Sequence, residues 1–346
     1  MPRARHAGIA VATLVAAGAV AVAVAMAGSS GPRTAHTQTS VSRPNSANLR
    51  PFPPPPSASA KATAHGAPFA VGLHVGLFVD HSRSLALPGG TSEPRRIVTE
   101  ILYPALGRAG SGDIHDAPAA RGPFPLIVFG HGFGETPGSY IALLRAWAQA
   151  GFVVAAPVFP GENPRAPGGP TANDLPNEPG DMSFVITQML AASKAPGELH
   201  GIVDPARIAL SGQSDGGDAS LAAAYDPRYR DRRVGAAMIL SGATIPQLGP
   251  FVFPAHGPPL LATQGSADTI NLPSATAAYY AAAHPVKYLL TLIGAPHLPP
   301  YQTQEPQLGI VERVTIAFLQ RYLENRSGAL ATMLAAGRIT GVASIG

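Results

Sequence analysis

The sequence predicts an α/β fold with a mostly parallel central sheet and helices on both faces. From about residue 68 onward, short apolar runs alternate with segments of helical periodicity, which is the pattern of repeated strand–helix units. Apolar residues make up 46% of the chain and charged residues only 13%, so the material for a buried core is ample. The chain has no cysteine, which excludes a disulfide framework, a thiol nucleophile and a thiolate-bound metal.

The N-terminal segment predicts export. Arg3 and Arg5 precede an uncharged run rich in Ala and Val that extends over residues 7–27. A positive start, an apolar stretch and small residues at its end are the parts of a secretory signal peptide, and the run is also long enough to span a bilayer. We therefore interpret residues 1–27 as a signal peptide or an N-terminal membrane anchor. Either interpretation places the domain outside the cell, secreted or held at the outer face of the cytoplasmic membrane, with membrane association through residues 7–27 only.

The next segment, residues 28–67, is interpreted as a disordered linker because it is rich in Pro, Ser and Ala. The first 66 residues contain six basic residues and no acidic one, which leaves 18 basic and 20 acidic residues for the remainder. A nearly neutral domain lacks the clustered Lys and Arg of a nucleic-acid-binding surface. We therefore expect residues 68–346 to form one domain that has no nucleic-acid partner.

The elements of this domain follow one another in a regular order. The first two expected strands, 69–79 and 96–103, have no helix between them, so they should form an antiparallel hairpin at one edge of the sheet. Later apolar runs are typical of buried parallel strands and alternate with helical segments. The expected strands are 124–129, 152–158, 208–210, 234–240, 260–263 and 288–293, and the expected helices are 139–150, 181–192, one that ends at 224, 274–283 and 310–323. Only a short connection, about 244–258, follows the strand at 234–240, so no large cap domain is expected.

The motif with the clearest chemical meaning is Gly212-Gln-Ser-Asp-Gly216. It has the G-x-S-x-G pattern and lies between an apolar strand and a helix, where a tight turn would project the Ser214 hydroxyl above the sheet. Glycine at both ends of the motif avoids a collision between a Cβ and the neighbouring strand or helix. The alternative is a glycine-rich turn whose serine only caps the helix, and the strand–turn–helix context favours a nucleophile instead.

A serine nucleophile needs a general base, and the base needs an acid that fixes its tautomer. His297 follows the last expected parallel strand, and Asp268 follows the strand at 260–263. The resulting order Ser, Asp, His is the order in which these groups occur around such a turn. Three other carboxylates are alternatives that turn or helix-surface positions explain better: Asp204, Asp218 and Asp226.

An oxyanion hole is expected from two backbone N–H groups. One belongs to Asp215, directly after the nucleophile, and the other to Phe133 in the glycine-rich loop 130–134 that follows a strand. His131, in the same loop, is expected to stabilise it by hydrogen bonding.

These motifs and several further segments resemble the α/β-hydrolase superfamily. Within it, the chain is similar to the branch of dienelactone-hydrolase-like proteins, chlorophyllases and platelet-activating-factor acetylhydrolases. The resemblance covers roughly residues 70–346, and its additional segments are Tyr103-Pro-Ala105, Asp181-Met-Ser-Phe-Val185, Val203-Asp-Pro-Ala-Arg-Ile208, Gly265-Ser-Ala-Asp268, Gly294-Ala-Pro-His297 and Phe318-Leu-Gln-Arg-Tyr-Leu323. It implies Ser214 as nucleophile, Asp268 as acid, His297 as base, and the N–H groups of Phe133 and Asp215 as oxyanion hole.

The sequence departs from that branch in two places. Gln213 stands where histidine is usual, and the cysteine nucleophile of a true dienelactone hydrolase is missing. We therefore expect a serine esterase that cleaves a small-molecule or lipid ester through an acyl-enzyme, without a metal or cofactor. Phe251, Phe253 and Leu298 are candidates for an apolar acyl pocket, although ordinary core or rim packing explains them nearly as well.

Three other functions are compatible with the same residues. An acyltransferase differs only in the acceptor of the acyl group, and an amidase or peptidase uses the same triad. A catalytically silent binding module on a hydrolase scaffold is the third, and the intact Ser, Asp and His argue against it.

Overall fold

The structure, a computed structural model, describes residues 68–110, 112–284 and 286–346. The expected signal or anchor segment and the linker lie outside these described residues. The strands are β1 (Ala70–Ala86), β2 (Ser92–Ala105), β3 (Asp113–His115), β4 (Phe124–Gly130), β5 (Val153–Pro157), β6 (Val203–Gln213), β7 (Val234–Leu240), β8 (Leu260–Gly265), β9 (Lys287–Leu292) and β10 (Ala343–Ile345). The helices are α1 (Ile141–Gln149), α2 (Glu178–Lys194), α3 (Asp215–Tyr225), α4 (Pro273–Ala282), α5 (Gln307–Tyr322) and α6 (Ala329–Ala336).

All of these strands belong to one mixed sheet, in the order β10-β9-β8-β7-β6-β4-β5-β2-β1-β3. Strands β4 to β9 run parallel to one another, as the alternation of strands and helices predicts. The expected hairpin is present, because β1 and β2 pair antiparallel, and β2 also pairs antiparallel with β5. The predicted α/β architecture is therefore confirmed, and strand β6 lies at the centre of the parallel part.

The sheet is covered on both faces, which explains why strand β4 is apolar along its whole length. In β4, Leu126 and Val128 pack into one core, and Ile127 and Phe129 pack into the other. Helices α2, α3 and α4 cover the first face, and helices α1, α5 and α6 cover the second. A strand with two dry faces gains from apolar side chains in both directions of the pleat, so strict alternation with polar residues is lost.

The second face is held by a polar contact as well as by apolar packing. The fully buried Trp147 of α1 donates its indole N–H to Thr315 Oγ1 of α5 at 2.8 Å. The same ring packs edge-on against Phe129 of β4, with 5.9 Å between the ring centres. A buried indole needs such an acceptor, and the bond joins two helices that lie far apart in the sequence.

The sequence patterns missed three short elements. Strands β3 and β10 have three residues each, too few for a period to show, and helix α6 was also not expected. Several boundaries also differ from the expectation. Strand β1 extends to Ala86 rather than to 79, and β2 begins at Ser92 rather than at 96. Strand β6 begins at Val203 rather than at 208, and helix α2 begins at Glu178 rather than at 181, with Pro179 in its first turn, where a missing N–H is harmless.

The connection between β7 and β8 contains one short 3₁₀ turn, Pro246–Leu248, and no further domain, as predicted. No helix in the described ranges combines the length and the apolar character that crossing a lipid bilayer requires.

Candidate active site

The carboxyl ends of the parallel strands bring the predicted site residues to one edge of the sheet. Ser214 follows β6, Asp268 follows β8 and His297 follows β9, while the loop that contains Phe133 follows β4. Parallel strands end at a common edge, so four segments that lie far apart in the sequence meet there.

The backbone of Ser214 is strained. Its dihedral angles are φ 52° and ψ −124°, a conformation that side chains with a Cβ rarely adopt. The turn can form only because of its glycines. A Cβ added to Gly212 would lie 2.1 Å from the carbonyl oxygen of Gly216, and a Cβ added to Gly216 would lie 2.3 Å from backbone atoms of Gly130. The glycines therefore let the start of α3 approach both β6 and β4, as the motif predicts.

Asp268 and His297 form a direct pair. His297 Nδ1 lies 2.7 Å from Asp268 Oδ2, so the Nδ1–H donates to the carboxylate. The other carboxylate oxygen accepts the backbone N–H groups of Ile270 at 2.9 Å and Asn271 at 3.0 Å. Gln264 adds a side-chain N–H at 3.0 Å to Oδ2. These donors fix the carboxylate, which in turn fixes the imidazole in the tautomer whose Nε2 is unprotonated.

The Nε2 atom of His297 faces Gln213. The Gln213 amide nitrogen lies 3.2 Å from His297 Nε2 and 3.3 Å from the His297 carbonyl oxygen, and its amide oxygen accepts the Tyr140 hydroxyl at 2.8 Å. Tyr140 in turn accepts the N–H of Gly132 at 3.3 Å. No hydrogen bond from the Ser214 hydroxyl to His297 is found among the described residues. The structure thus brings the three predicted triad residues to one edge of the sheet. Only the hydrogen bond between Asp268 and His297 is formed.

The glycine-rich loop after β4 lies against Ser214. A Cβ added to Gly132 would lie 2.6 Å from Gln213 Oε1 and 3.2 Å from Ser214 Cβ, so glycine favours this close approach. The Phe133 N–H has no hydrogen-bond acceptor within the described part of the chain. Asp215 is the first residue of α3, so its N–H has no partner within the helix. Both expected oxyanion donors are therefore free to bind a substrate oxygen.

His131 holds this loop and is neutral. Its Nδ1–H donates to the carbonyl oxygen of Gly132 at 2.9 Å, and its Nε2 accepts the N–H of Phe159 at 2.9 Å. Burial lowers the pKa of His131 to about 4, so the ring carries no charge at neutral pH. The predicted hydrogen-bonding role of His131 is confirmed.

The site contains buried carboxyl groups that sequence reasoning missed. Glu162 and Glu178 are fully buried, and the Glu162 side chain lies within hydrogen-bonding reach of both Glu178 and Asp215. Burial raises the pKa of both glutamates and of Asp215. The sequence offers one signal for Glu162, a charged residue within a Pro- and Gly-rich segment of a chain that has few charges.

A buried ion-pair network lies beside these carboxyls. Arg95 is fully buried and donates two hydrogen bonds to Asp174, both at 2.8 Å, and two to Asp181, at 2.8 and 2.5 Å. Arg83 pairs with Asp181 at 2.8 Å as well. The network ties β1 and β2 to the start of α2, and its guanidinium groups are committed to carboxylates other than the two glutamates.

The three predicted acyl-pocket residues do not line one shared pocket. Phe251 and Phe253 pack against each other, with 4.8 Å between the ring centres, and Phe253 also packs against Tyr225. They line a cavity of about 520 Å³ between the loop after β7 and α4, and neither Leu298 nor any triad residue borders it. Phe251 and Phe253 therefore share a cavity with each other and not with Leu298.

One cluster of metal-type ligands occurs in the described part of the chain. His74, Asp116 and Glu198 are close together, and His74 Nδ1 lies 2.8 Å from Asp116 Oδ1. Both carboxylates are exposed, and exposed acidic groups of this kind are common without an ion, so we assign no metal to it.

Comparisons with known proteins support the fold. The structure is similar to that of a ferulic acid esterase from Streptomyces cinnamoneus, with 21% sequence identity and a TM-score of 0.57, over 77% of this chain and 93% of that one. No family model matches the sequence, and no curated protein matches it either. The chain therefore has the fold of α/β-hydrolases, and its activity has to be argued from the site.

Proposed function

We propose that this protein is a serine hydrolase that cleaves carboxylic esters. The observation that carries the proposal is the pair His297–Asp268, joined at 2.7 Å at the same sheet edge as a serine in a strained strand-to-helix turn. The structural similarity to an esterase agrees with this proposal at the level of the fold.

In the first step, His297 Nε2 takes the proton of the Ser214 hydroxyl as Oγ attacks the ester carbonyl carbon. The tautomer suits this task, because Nδ1–H donates to Asp268 and Nε2 carries no proton. The hydroxyl must turn toward Nε2, which Gln213 now faces at 3.2 Å. Catalytic hydrogen bonds in the absence of substrate are often incomplete and tighten when substrate binds.

The negative charge that develops on the carbonyl oxygen is received by the free N–H groups of Phe133 and Asp215. The N-terminus of α3 contributes further because its unpaired N–H groups favour negative charge. The protonated imidazole then gives its proton to the leaving alcohol as the C–O bond breaks. Water, activated by His297, opens the acyl-enzyme and restores the serine.

We also propose that the domain works outside the cytoplasm. This rests on the sequence of residues 1–27 alone, with its positive start, apolar run and small-residue end.

The experiment that tests the activity is hydrolysis of p-nitrophenyl esters of increasing acyl length. Ser214→Ala should reduce the rate to background, whereas the matched variant Ser211→Ala should keep it. Ser211 is a suitable control because it is buried three residues earlier and its hydroxyl makes no hydrogen bond. A fluorophosphonate probe should label the wild type and Ser211→Ala, but not Ser214→Ala. Equal hydrolysis by wild type and Ser214→Ala would exclude the serine mechanism and favour the silent binding module.

A further inference from the structure

Three carboxyl groups lie in a row that ends beside the proposed nucleophile. Glu178 is the first residue of α2, Glu162 lies in the loop after β5, and Asp215 is the first residue of α3. Glu162 is the middle member, within hydrogen-bonding reach of the other two. Glu162 and Glu178 are fully buried, whereas Asp215 is partly exposed.

No base neutralises the two buried members. Neither carboxylate oxygen of Glu162 or of Glu178 accepts an N–H or a hydroxyl from any other described residue. The buried guanidinium of Arg95 is bound by Asp174 and Asp181 instead. Five titratable groups from the surrounding elements face these three carboxyl groups: Asp174, Asp181, Asp218, Tyr140 and His297.

Two carboxyl groups that touch in a dry interior cannot both be ionised, because like charges repel and neither is solvated. Protons must therefore lie between them. The least buried member, Asp215, keeps the charge most easily, and this sets the direction of donation: the Glu178 O–H donates to Glu162, and the Glu162 O–H donates to the Asp215 carboxylate. Burial and the charge of Asp215 raise the pKa of Glu162 to about 8, in agreement with this arrangement.

Glu162 also contacts the opposite side of the expected oxyanion hole. Its backbone carbonyl accepts the N–H of Gly134 at 2.8 Å, one residue after Phe133. Through its main chain it holds the glycine-rich loop, and through its side chain it reaches Asp215. A single residue thus links the two segments that supply the oxyanion donors.

We propose that Glu162 is a positioning residue that holds the two halves of the oxyanion hole together, with its side chain on Asp215 and its main-chain carbonyl on Gly134. The site should therefore lose activity at alkaline pH, where the Glu162 carboxyl loses its proton. Ionised Glu162 would face ionised Asp215 with no hydrogen between them, and repulsion would separate α3 from the loop after β5. The hydrogen bond from the Gly134 N–H to the Glu162 carbonyl would be displaced by the same movement. This proposal rests on the proposed hydrolase function.

The first test compares pH–rate profiles of wild type and Glu162→Gln, each normalised to its own maximum. The amide of glutamine can still donate to Asp215 and accept from Glu178, but it cannot ionise. Wild-type kcat should fall above about pH 8, by about tenfold for each further pH unit, and Glu162→Gln should lack this descending limb. Glu162→Leu should lower kcat with little change in KM, because the positioning matters most for the oxyanion of the transition state.

Two controls make the result specific. Glu198→Gln, a change at an exposed glutamate, should retain the wild-type limb. Asp215→Asn should shift the limb to lower pH, because it removes a charge that opposes ionisation of Glu162; this variant also serves if Glu162→Gln does not fold. A limb that is the same in wild type and Glu162→Gln, or unshifted in Asp215→Asn, would overturn the proposal.

A second readout does not depend on activity. In the Ser214→Ala background, the infrared absorption of protonated carboxyl groups should lose intensity when Glu162 is changed to Gln, at pH 7. Unchanged absorption would show that Glu162 is ionised and would overturn the proposal. Because Ser214→Ala is inactive in any case, this measurement separates failure of the positioning proposal from failure of the proposed hydrolase function.

Discussion

Replacing the strained serine with glycine should stabilise the protein while abolishing its activity. Ser214 has φ 52° and ψ −124°, where a Cβ is disfavoured and glycine is not. Ser214→Ala removes the hydroxyl but keeps the Cβ, and Ser214→Gly removes both. The difference between these two inactive variants therefore reports the strain of the turn and not the loss of the nucleophile.

The size of the effect follows from two opposing contributions. A residue held in a sparsely populated backbone region costs of order 1–3 kcal/mol, and glycine releases this cost. Glycine also gives the unfolded chain more freedom, which opposes the gain by about 0.4–1 kcal/mol. The net stabilisation of Ser214→Gly over Ser214→Ala should be about 1 kcal/mol, which corresponds to a rise in Tm of about 2 °C for a domain of this size.

The assay is thermal unfolding at one scan rate, with Ser211→Gly and Ser211→Ala as the matched pair. Ser211 lies within β6 and has no positive φ, so glycine there should be less stable than alanine by about 0.5–1 kcal/mol. The difference in Tm between the glycine and the alanine variant should therefore be positive at position 214 and negative at position 211. A Tm of Ser214→Gly at or below that of Ser214→Ala would refute the argument that the turn stores strain in its Cβ.

Three further changes test other parts of the structure. Asp268→Asn should lower kcat by about four orders of magnitude with little change in Tm, because the amide no longer selects the base form of the imidazole; a loss below tenfold would contradict the triad. Gly216→Ala places a Cβ 2.3 Å from the backbone of Gly130 and should abolish soluble expression, whereas Gly138→Ala, whose Cβ meets nothing closer than 3.6 Å, should express normally. Equal yields would contradict this. Arg95→Met leaves the buried Asp174 without an ion-pair partner and Asp181 with Arg83 alone, and it should cost about 3–5 kcal/mol in the free energy of unfolding by denaturant. A cost below 1 kcal/mol would show that the network is not coupled to folding.

The sequence was sufficient for the features that rest on local pattern and chain order. The two-sided apolar strands predict the sheet, and G-x-S-x-G between a strand and a helix predicts the turn at Ser214. The positions of Asp268 and His297 after successive strands predict their meeting, which the 2.7 Å contact confirms. Each of these inferences needs only the rule that parallel strands end at one edge.

Other features depend on contacts that no local pattern encodes. Glu162 lies in the loop after β5 and Asp215 at the start of α3, and no local sequence pattern indicates that the two side chains interact. The contact between Gln213 and His297 also could not be predicted from the sequence, because a glutamine before Ser214 does not indicate which residue it contacts. The role of Phe251 and Phe253 stays a prediction, because they line a cavity that neither Leu298 nor a triad residue borders.

The buried tryptophan of α1 gives this protein an internal fluorescent reporter. Trp147 is the only tryptophan in the chain, so its emission has a single source. It packs against Phe129, and Phe129 packs against Tyr140, whose hydroxyl donates to Gln213 beside His297. Unfolding should therefore shift the emission toward that of tryptophan in water. Substrate analogues that displace Gln213 from His297 should change the emission intensity, because these packed rings connect Gln213 to Trp147. Binding can therefore be followed in the Ser214→Ala variant without a chromogenic ester.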